Sequence, residues 1–340
     1  MIERKFEDSE ATRGRVPFSF GIAGATGSGK TYSGLRVAAG MQRVLGGDIH
    51  VIDTEAGRAL KYQKYFKFRH VPFAPPHGPL DYLRAVEHCA RAGASVVITD
   101  SKSHEHEGEG GVRAMQAAEA KVLAARYNST PEKQSAAAWT EAKGQRRTMI
   151  NGILRLPVVT IDCFRAQEKT FPVKLGWVPI GGRELFYELD ALCMLLPDAD
   201  GRALWGSKPG EYRTKAVPQQ FRALFNQGEQ LSEDLGEAMA RWSLGGPVTV
   251  HEQILDIIES ATTIDELARA VPLVIAAKEA KTIKAPEHRG LQDLFARRKA
   301  FIERGDGFES DEQAAEARAR DAAFAQAAAP TKEPAKPDAA

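Results

Sequence analysis

The residues with the clearest chemical pattern form a glycine-rich loop near the amino terminus that ends in a lysine and a threonine. Their spacing is G-x-x-x-x-G-K-[ST], and they are Gly24, Ala25, Thr26, Gly27, Ser28, Gly29, Lys30 and Thr31. Glycines let successive backbone N–H groups turn inward, and the positive end of a following helix adds to their attraction for phosphate oxygens. The pattern predicts a loop that binds a nucleoside triphosphate. In this prediction Lys30 reaches the β- and γ-phosphates, and the Thr31 hydroxyl ligates Mg²⁺.

Such a loop requires a buried strand before it and a helix after it, and the flanking sequence provides both. Residues 17–23 are mostly apolar and predict the first strand, whereas residues 31–45 are small and apolar, as in a helix that packs on a sheet. Tyr32 lies in the first turn of that helix, and we include it in the predicted nucleotide-binding segment. The alternative, a glycine-rich turn without a ligand, does not require this strand and helix.

Two acidic residues at predicted strand ends are the candidates for metal binding and catalysis. Asp100 follows the apolar run 94–99 and is placed to hold a water molecule on Mg²⁺. Its alternative role is to start a turn. Glu55 follows the predicted strand 48–53, at the sheet edge that would face the γ-phosphate, where a carboxylate orients or deprotonates the attacking water. Asp53 is the competing candidate.

Strand and helix signals alternate through the first 245 residues, which predicts an α/β fold with a mostly parallel sheet flanked by helices. We predict an N-terminal arm (1–14), a core (15–245), a small appendage of three helices (246–304) and a disordered tail (305–340). Within the core the further predicted strands are 66–73, 158–164 and 191–196, and the further predicted helices are 79–91, 112–127 and 136–154.

Bulk composition excludes several classes of protein. The chain has 46 basic and 45 acidic residues, a net charge of +1, so a nucleic-acid surface would have to be a local patch. Its three cysteines have no metal-ligand spacing, and we expect neither a disulfide nor a structural zinc. The chain has no apolar run of about 18 residues, the length that spans a bilayer, so we expect a cytoplasmic protein without membrane contact.

These motifs resemble the RecA-type recombinase ATPase core. The resemblance rests on the GxxxxGKT loop, on Ile52 to Glu55 after the second strand, and on Asp100-Ser101 at the end of an apolar strand. It is closer to the phage-encoded proteins that consist of a RecA core and are commonly called AAA family ATPases, because residues 100–111 match their run D-S-x-S-H-x-x-x-G-x-G-G. It covers about residues 15–225 and implies ATP, Mg²⁺ and single-strand annealing or recombination in phage replication.

The resemblance also implies roles for residues further along the chain. It places His104 beside the nucleotide or substrate, and it includes Gln167 and Arg183 as candidate sensors. The chain departs from the family at His106, where an aromatic residue is usual, and at Gln167, where lysine is more common. We do not expect residues 104–107 to bind a metal, because alternating ligands on one loop do not readily converge on one ion.

Phosphoryl transfer requires a further cation, often from a neighbouring subunit. Arg165 follows a strand and suits a sensor in the same chain, whereas Lys208 and Arg213 resemble the cationic segment that RecA-type proteins use across the subunit interface. Arg183 and Lys215 are further candidates. Each of these residues taken alone also suits the protein surface, but together they predict a homo-oligomer, either a ring or a filament.

Two segments combine cations with flat side chains and predict contact with single-stranded DNA. One is residues 143–147 near Trp139, and the other is residues 169–177, which occupies the place of a DNA-contacting loop in the RecA fold. We expect a Mg²⁺-dependent ATPase of phage recombination or replication that acts with other such proteins. The alternatives are a nucleotide-gated DNA-binding module with incidental hydrolysis, and a small-molecule kinase.

Overall fold

The computed structural model of the protein describes residues 16–218, 221–222, 224–245, 250–280, 283 and 285–304. These residues divide into two compact units, one ending before Val250 and the other beginning there. The predicted N-terminal arm (1–14) and the predicted disordered tail (305–340) lie outside the described residues. None of the described helices is both long and apolar enough to cross a bilayer.

The first unit is built on an eight-stranded sheet, counted over the described residues, with the order β3-β2-β4-β5-β1-β7-β8 and with β6 paired to β5. Strands β1 to β5 and β7 pair in parallel, whereas β6 and β8 pair antiparallel to their neighbours. The strands are β1 (Ser19–Gly24), β2 (Asp48–Asp53), β3 (Arg69–Pro72), β4 (Ala94–Asp100), β5 (Val159–Lys169), β6 (Gly176–Pro179), β7 (Ala191–Leu195) and β8 (Leu204–Trp205). The predicted α/β class with a mostly parallel sheet is confirmed.

Helices cover both faces of this sheet. They are α1 (Lys30–Leu45), α2 (Pro79–Arg91), α3 (His104–Glu107), α4 (Val112–Arg126), α5 (Pro131–Gln134), α6 (Trp139–Ile153), α7 (Arg183–Glu188) and α8 (Glu233–Ser243), with a 3₁₀ helix over Arg58–Tyr62. One core cluster joins β1, β4 and β5 to α1 and α8. Two others join the sheet to α2, α6 and α7. Because the central strands are buried on both faces, their sequences are nearly continuous apolar runs.

The structure differs from the sequence prediction mainly in short elements. The predicted strand 158–164 continues to Lys169 and returns as β6, so that β5 and β6 form a hairpin beyond the parallel sheet. Residues 104–107 form a one-turn helix rather than the expected loop. Elements of two to six residues, such as β8 and α7, carry too few positions for a hydrophobic period to be read.

The second unit has four helices in the described residues where three were predicted. They are α9 (Val250–Ser260), α10 (Ile264–Ala268), α11 (Ala270–Glu279) and α12 (Ala285–Arg304). Thr263 caps α10, because its side chain accepts from the Glu266 N–H, and the Glu266 carboxylate accepts from the Thr262 N–H just before the cap. Helix α10 ends after five residues, and α11 follows directly.

Helices α1 and α8 pack closely through two glycines. A Cβ at Gly40 would overlap the backbone of Glu233, and a Cβ at Gly236 would overlap the backbone of Val37. The contact is reinforced at its edge by the Arg36–Glu233 ion pair, at 2.7 Å. Because α1 begins with Lys30, this packing fixes the helix that carries the predicted phosphate-binding residues.

We expect Gly40→Ala to lower the free energy of unfolding of the first unit by about 1–3 kcal/mol, because the added methyl group meets backbone that cannot move aside cheaply. The matched control is Gly144→Ala in α6, where a Cβ meets nothing within 4 Å. Both changes gain the same helix propensity, so the control should be stabilised by up to about 1 kcal/mol. Thermal unfolding followed by circular dichroism measures both. Equal effects of the two variants would contradict the proposed close contact.

Candidate functional site

The candidate residues come together because parallel strands bring their carboxyl ends to one edge of the sheet. Asp53 of β2 is in register with Asp100 of β4, Asp100 with Cys163 of β5, and Gly24 of β1 with Arg165 of β5. The segments that follow these strands therefore start side by side. In open α/β sheets this edge is where ligands bind.

The glycine-rich loop (residues 24–31) links β1 to α1 and contains two glycines in the left-handed region. The φ angles are 81° at Gly27 and 90° at Gly29. Gly29 occupies the N-cap of α1 and has no side chain with which to cap the helix, so the first N–H groups of α1 depend on another partner. The Lys30 ammonium folds back over the loop and donates to the carbonyl oxygens of Gly24 at 3.0 Å and Ala25 at 2.7 Å.

Thr31 and Asp100 are in direct contact. The Thr31 hydroxyl donates to the Asp100 carboxylate, with an Oγ1–Oδ2 distance of 2.5 Å. Asp100 is nearly inaccessible to solvent, and burial raises its pKa to about 6, although the Thr31 hydrogen bond opposes the shift. Burial likewise lowers the pKa of Lys30. A buried carboxylate and a partly buried ammonium are therefore held within the same small region.

Glu55 is held by two arginines. Its Oε1 accepts from Arg165 Nη2 at 2.6 Å and from Nε at 3.1 Å, and its Oε2 accepts from Arg58 Nη1 at 2.7 Å. Burial by itself raises the pKa of Glu55, but the hydrogen bonds and charges of Arg165 and Arg58 outweigh it, so the net pKa is below the ordinary value. The carboxylate is therefore ionised and fixed in orientation.

Asp53, the competing candidate, has a different environment. Its carboxylate accepts from the backbone N–H groups of Glu55 at 2.7 Å and Ala59 at 3.1 Å, and it contacts His70 Nε2 at 3.1 Å. These bonds use the carboxylate to shape the turn after β2. Asp53 thus supports the segment that carries Glu55, and it is not directed at the loop.

His104 joins the site through Thr54. Its Nδ1 lies 2.7 Å from Thr54 Oγ1, which also accepts from the Ser101 N–H at 2.7 Å. The His104 ring stacks on His77, with ring centroids 5.1 Å apart. Burial, then the charges of Arg165 and His77, lowers the pKa of His104 to about 4, so His104 is neutral at physiological pH.

Tyr32 packs in an aromatic cluster beside the loop. Its ring meets Tyr62, Tyr65 and Phe66 edge to face, with centroids 5.2–6.3 Å apart. Tyr32 and Tyr65 are exposed, whereas Tyr62 is partly buried, and burial followed by the charge of Asp100 raises its pKa. The cluster forms an aromatic wall between the first turn of α1 and the segment after Glu55.

The remaining sequence candidates do not join this group. Gln167 is exposed on the β5–β6 hairpin, and Arg183 is exposed at the start of α7. Lys208 and Arg213 are exposed in a turn whose backbone pairs with Trp177 of β6, and Lys208 forms an ion pair with Glu211 at 2.7 Å. The Lys215 ammonium donates to the carbonyl oxygens of Tyr187 and Leu189 at the end of α7.

Residues 104–107 do not converge on a common point. His104 contacts Thr54, whereas Glu105 and His106 both contact Arg146 of α6. In the described part of the chain, no group of three or more His, Cys, Asp or Glu residues is arranged to hold a metal. The three cysteines are buried free thiols.

Thr54, Ser103 and Arg146 lie in segments named in the sequence analysis, but they have no predicted role in this site, and Arg58 is not among the predicted residues. Thr54 links Ser101 to His104, Ser103 Oγ accepts from the Arg165 N–H at 2.9 Å, and Arg58 and Arg146 hold carboxylates. Arg58 follows Glu55 by three residues, which is a weak signal for a local ion pair. Arg146 lies 41 residues from Glu105, and no local pattern joins the two.

Two exposed surfaces near the site carry aromatic and basic side chains. The turn between β5 and β6 presents Phe171, with 87% of its surface exposed, next to Lys169 and Lys174. A groove of about 350 Å³ between α6 and α7, here called the α6/α7 groove, is lined by Lys143, Arg146, Arg147, Ile150, Asn151, Glu184, Tyr187 and Glu188. Tyr187 is 70% exposed.

No protein-family model matches the chain, and none of the curated proteins compared with it matches either. Any function proposed for the chain therefore rests on the contacts of the site itself.

The raised pKa of Asp100 predicts a stability cost in the absence of a bound cation. Between the unfolded pKa of 3.8 and the folded pKa of about 6, the native state binds the additional proton, so stability falls as the pH rises through this window and then levels off. Asp100→Asn keeps an acceptor for Thr31 and has no such cost. We expect this variant to exceed the wild type by about 1–3 kcal/mol at pH 8 in EDTA, and to match it more closely at pH 4.

The measurement is denaturant unfolding of both proteins from pH 4 to pH 8. A variant less stable than the wild type at pH 8 would show that the ionised carboxylate makes a net favourable contribution, contrary to this expectation.

Proposed function

We propose that this protein is a Mg²⁺-dependent, RecA-like ATP-binding and ATP-hydrolysing protein that binds single-stranded DNA in phage recombination or replication. The observation that carries the proposal is the 2.5 Å contact between the Thr31 hydroxyl and the buried Asp100 carboxylate, beside Lys30 and the Glu55–Arg165 pair. A glycine-rich turn without a ligand would not need a buried carboxylate at the start of the helix.

The donors at the glycine-rich loop fit a triphosphate. The uncapped N–H groups of α1 and the Lys30 ammonium suit phosphate oxygens, and Lys30 already lies over the loop. The Thr31 and Asp100 oxygens suit Mg²⁺, which prefers hard oxygen ligands and retains several waters. When bound, Mg²⁺ would neutralise charge on the β- and γ-phosphates. Tyr32 and its aromatic neighbours offer an apolar surface for a nucleobase.

Glu55 is best suited to orient water. Its lowered pKa makes it a weak base, but phosphoryl transfer proceeds through a loose transition state in which positioning contributes more than proton removal. Arg165 donates to Glu55 through Nε and Nη2, and Nη1 does not take part in that pair. We therefore assign to Glu55 the orientation of the attacking water, and to Arg165 the stabilisation of charge on the transferred group.

Single-stranded DNA fits the two basic and aromatic surfaces. Exposed rings stack on bases without sequence preference, and neighbouring lysines and arginines neutralise phosphates. The β5–β6 turn offers Phe171 between Lys169 and Lys174, and the α6/α7 groove offers Tyr187 with Lys143 and Arg147. Exposed Lys208 and Arg213 suit contact with a neighbouring subunit of a ring or filament.

A second candidate function is a nucleotide-gated DNA-binding module in which hydrolysis is incidental. The observation that favours it is the occupation of both Glu55 oxygens by arginines, which limits the access of water to this carboxylate. Both functions share the nucleotide site and the DNA surfaces. They differ in whether turnover is needed for annealing.

Glu55→Gln and Lys30→Ala separate these functions. We expect Glu55→Gln to bind ATP with unchanged affinity but to lose turnover by about 10²-fold or more, because the amide no longer orients water as the ionised carboxylate does. Lys30→Ala should lose ATP binding itself, since the phosphates lose their ammonium partner. The measurements are ATP turnover with and without single-stranded DNA, binding calorimetry and an annealing assay.

Annealing by Glu55→Gln at the wild-type level would select the gated module. Unchanged ATP affinity in Lys30→Ala would reject the nucleotide site as a whole.

The double variant Lys143→Ala/Arg147→Ala tests the DNA surface. We expect weaker binding of oligo(dT) and a salt dependence of log K that is shallower by about 1.4, because each lost phosphate contact on a single strand removes about 0.7 from the slope. The control is Arg155→Ala, which removes an exposed arginine just beyond the end of α6 that does not line the groove. Fluorescence anisotropy at several salt concentrations measures the slopes. Identical slopes in the double variant and the wild type would exclude the groove as a DNA contact.

A further inference from the structure

Arg146 connects the nucleotide site to the α6/α7 groove through side chains that have no place in the proposed hydrolysis. Its guanidinium donates from Nε and Nη2 to the two oxygens of Glu105, at 2.9 and 2.8 Å. Glu105 is fully buried and Arg146 is 3% exposed, so this is an ion pair of the interior. Nη2 also donates to His106 Nδ1 at 3.0 Å.

The short helix α3 is the element that this ion pair positions. Its four residues are too few to hold a position through helical hydrogen bonds alone. On one side His104 contacts Thr54, the residue before Glu55, and the adjacent Ser103 accepts from the Arg165 N–H. On the other side Glu105 and His106 contact Arg146. Arg146 is therefore connected through α3, Thr54 and Ser103 to the surroundings of Glu55 and Arg165.

The remaining nitrogen of Arg146 lies on the groove side. Nη1 contacts Glu184 Oε2 at 3.5 Å, a long and weak contact to a side chain that is about half exposed. The guanidinium also lies against Gly182, at the N-cap of α7, where a Cβ would overlap Nη1. In the interior Arg146 is thus held firmly by Glu105, whereas at the groove it is held loosely by a carboxylate that another anion can replace.

We propose that Arg146 is a positioning residue that couples DNA binding in the α6/α7 groove to the nucleotide site, with Glu184 as the internal anion that a DNA phosphate displaces. The inference rests on the proposed function and adds its regulation. In one state Nη1 contacts Glu184. In the other it contacts a phosphodiester, and the guanidinium moves towards the groove with Glu105 and α3. The two states differ in contacts at both sites, as a coupling free energy requires.

The test is a thermodynamic cycle. The affinity of the wild type for a non-hydrolysable ATP analogue with Mg²⁺ is measured with and without saturating oligo(dT), and the affinity for oligo(dT) is measured with and without the analogue. Linkage requires the same factor from both directions, and we expect about fivefold or more. A substitution at a residue with a merely structural role can change both affinities, but it leaves this reciprocal factor unchanged.

Glu184→Gln and Glu188→Gln form a matched pair. Both remove one negative charge from the groove, but of these two carboxylates in the described chain only that of Glu184 contacts Arg146. Both variants should bind oligo(dT) more tightly through the charge change. Only Glu184→Gln should also lower the coupling factor, because its DNA-free state lacks the Nη1–carboxylate contact that distinguishes the two states. Equal coupling factors of the two variants would overturn the proposal.

Arg146→Lys keeps the charge but loses the bidentate pair with Glu105, so its coupling factor should fall to about one. If this variant does not fold, the matched pair alone decides.

A wild type that binds both ligands with a coupling factor of one would overturn this inference and leave the proposed function intact. A wild type that binds no nucleotide would overturn both.

Discussion

The site depends on one constraint: the buried Asp100 carboxylate faces the first turn of α1 across the strand that separates β4 from β1. Asp100 loses most of its hydration there, which raises its pKa to about 6, and the Thr31 hydroxyl compensates for only part of the loss. The register of β5 with both neighbouring strands, and the close packing of α1 on α8, hold the two groups in place. An ionised acid in such a position is destabilising, and a bound cation would relieve that destabilisation.

The three carboxylates at this edge show how environment divides chemically similar groups. Asp53 accepts two backbone N–H bonds and shapes a turn, Glu55 is fixed by two arginines, and Asp100 contacts a hydroxyl. The sequence places all three at strand ends, and it could not separate Asp53 from Glu55, because both follow β2. The distinction comes from the direction of the backbone N–H groups in the turn, which the residue types do not encode.

The sequence predicted the long elements well and the short ones poorly. The bounds predicted for β2, α2 and β4 agree with the structure, because continuous apolar runs and helical spacing extend over enough residues to be read. The glycine-rich loop, Glu55 and Asp100 were found from motif spacing and strand ends, and their roles stay predictions. The links among them were not found. Thr54 with His104, and Glu105 with Arg146, join residues 50 and 41 positions apart, and only the folded chain brings them together.

The buried Glu105–Arg146 pair is difficult to explain by stability alone. Well-packed apolar side chains of similar volume commonly replace a buried ion pair at no cost, or with a gain, because two charges lose their hydration on burial. Such a pair does fix geometry, since a bidentate guanidinium and carboxylate allow one relative orientation. Here it fixes a one-turn helix that also contacts Thr54 and His77 and that follows Ser103, which contacts Arg165. Positioning Thr54 and Arg165, the two neighbours of Glu55, is what an apolar replacement could not supply, and it is the physical reason to connect this pair with the candidate site.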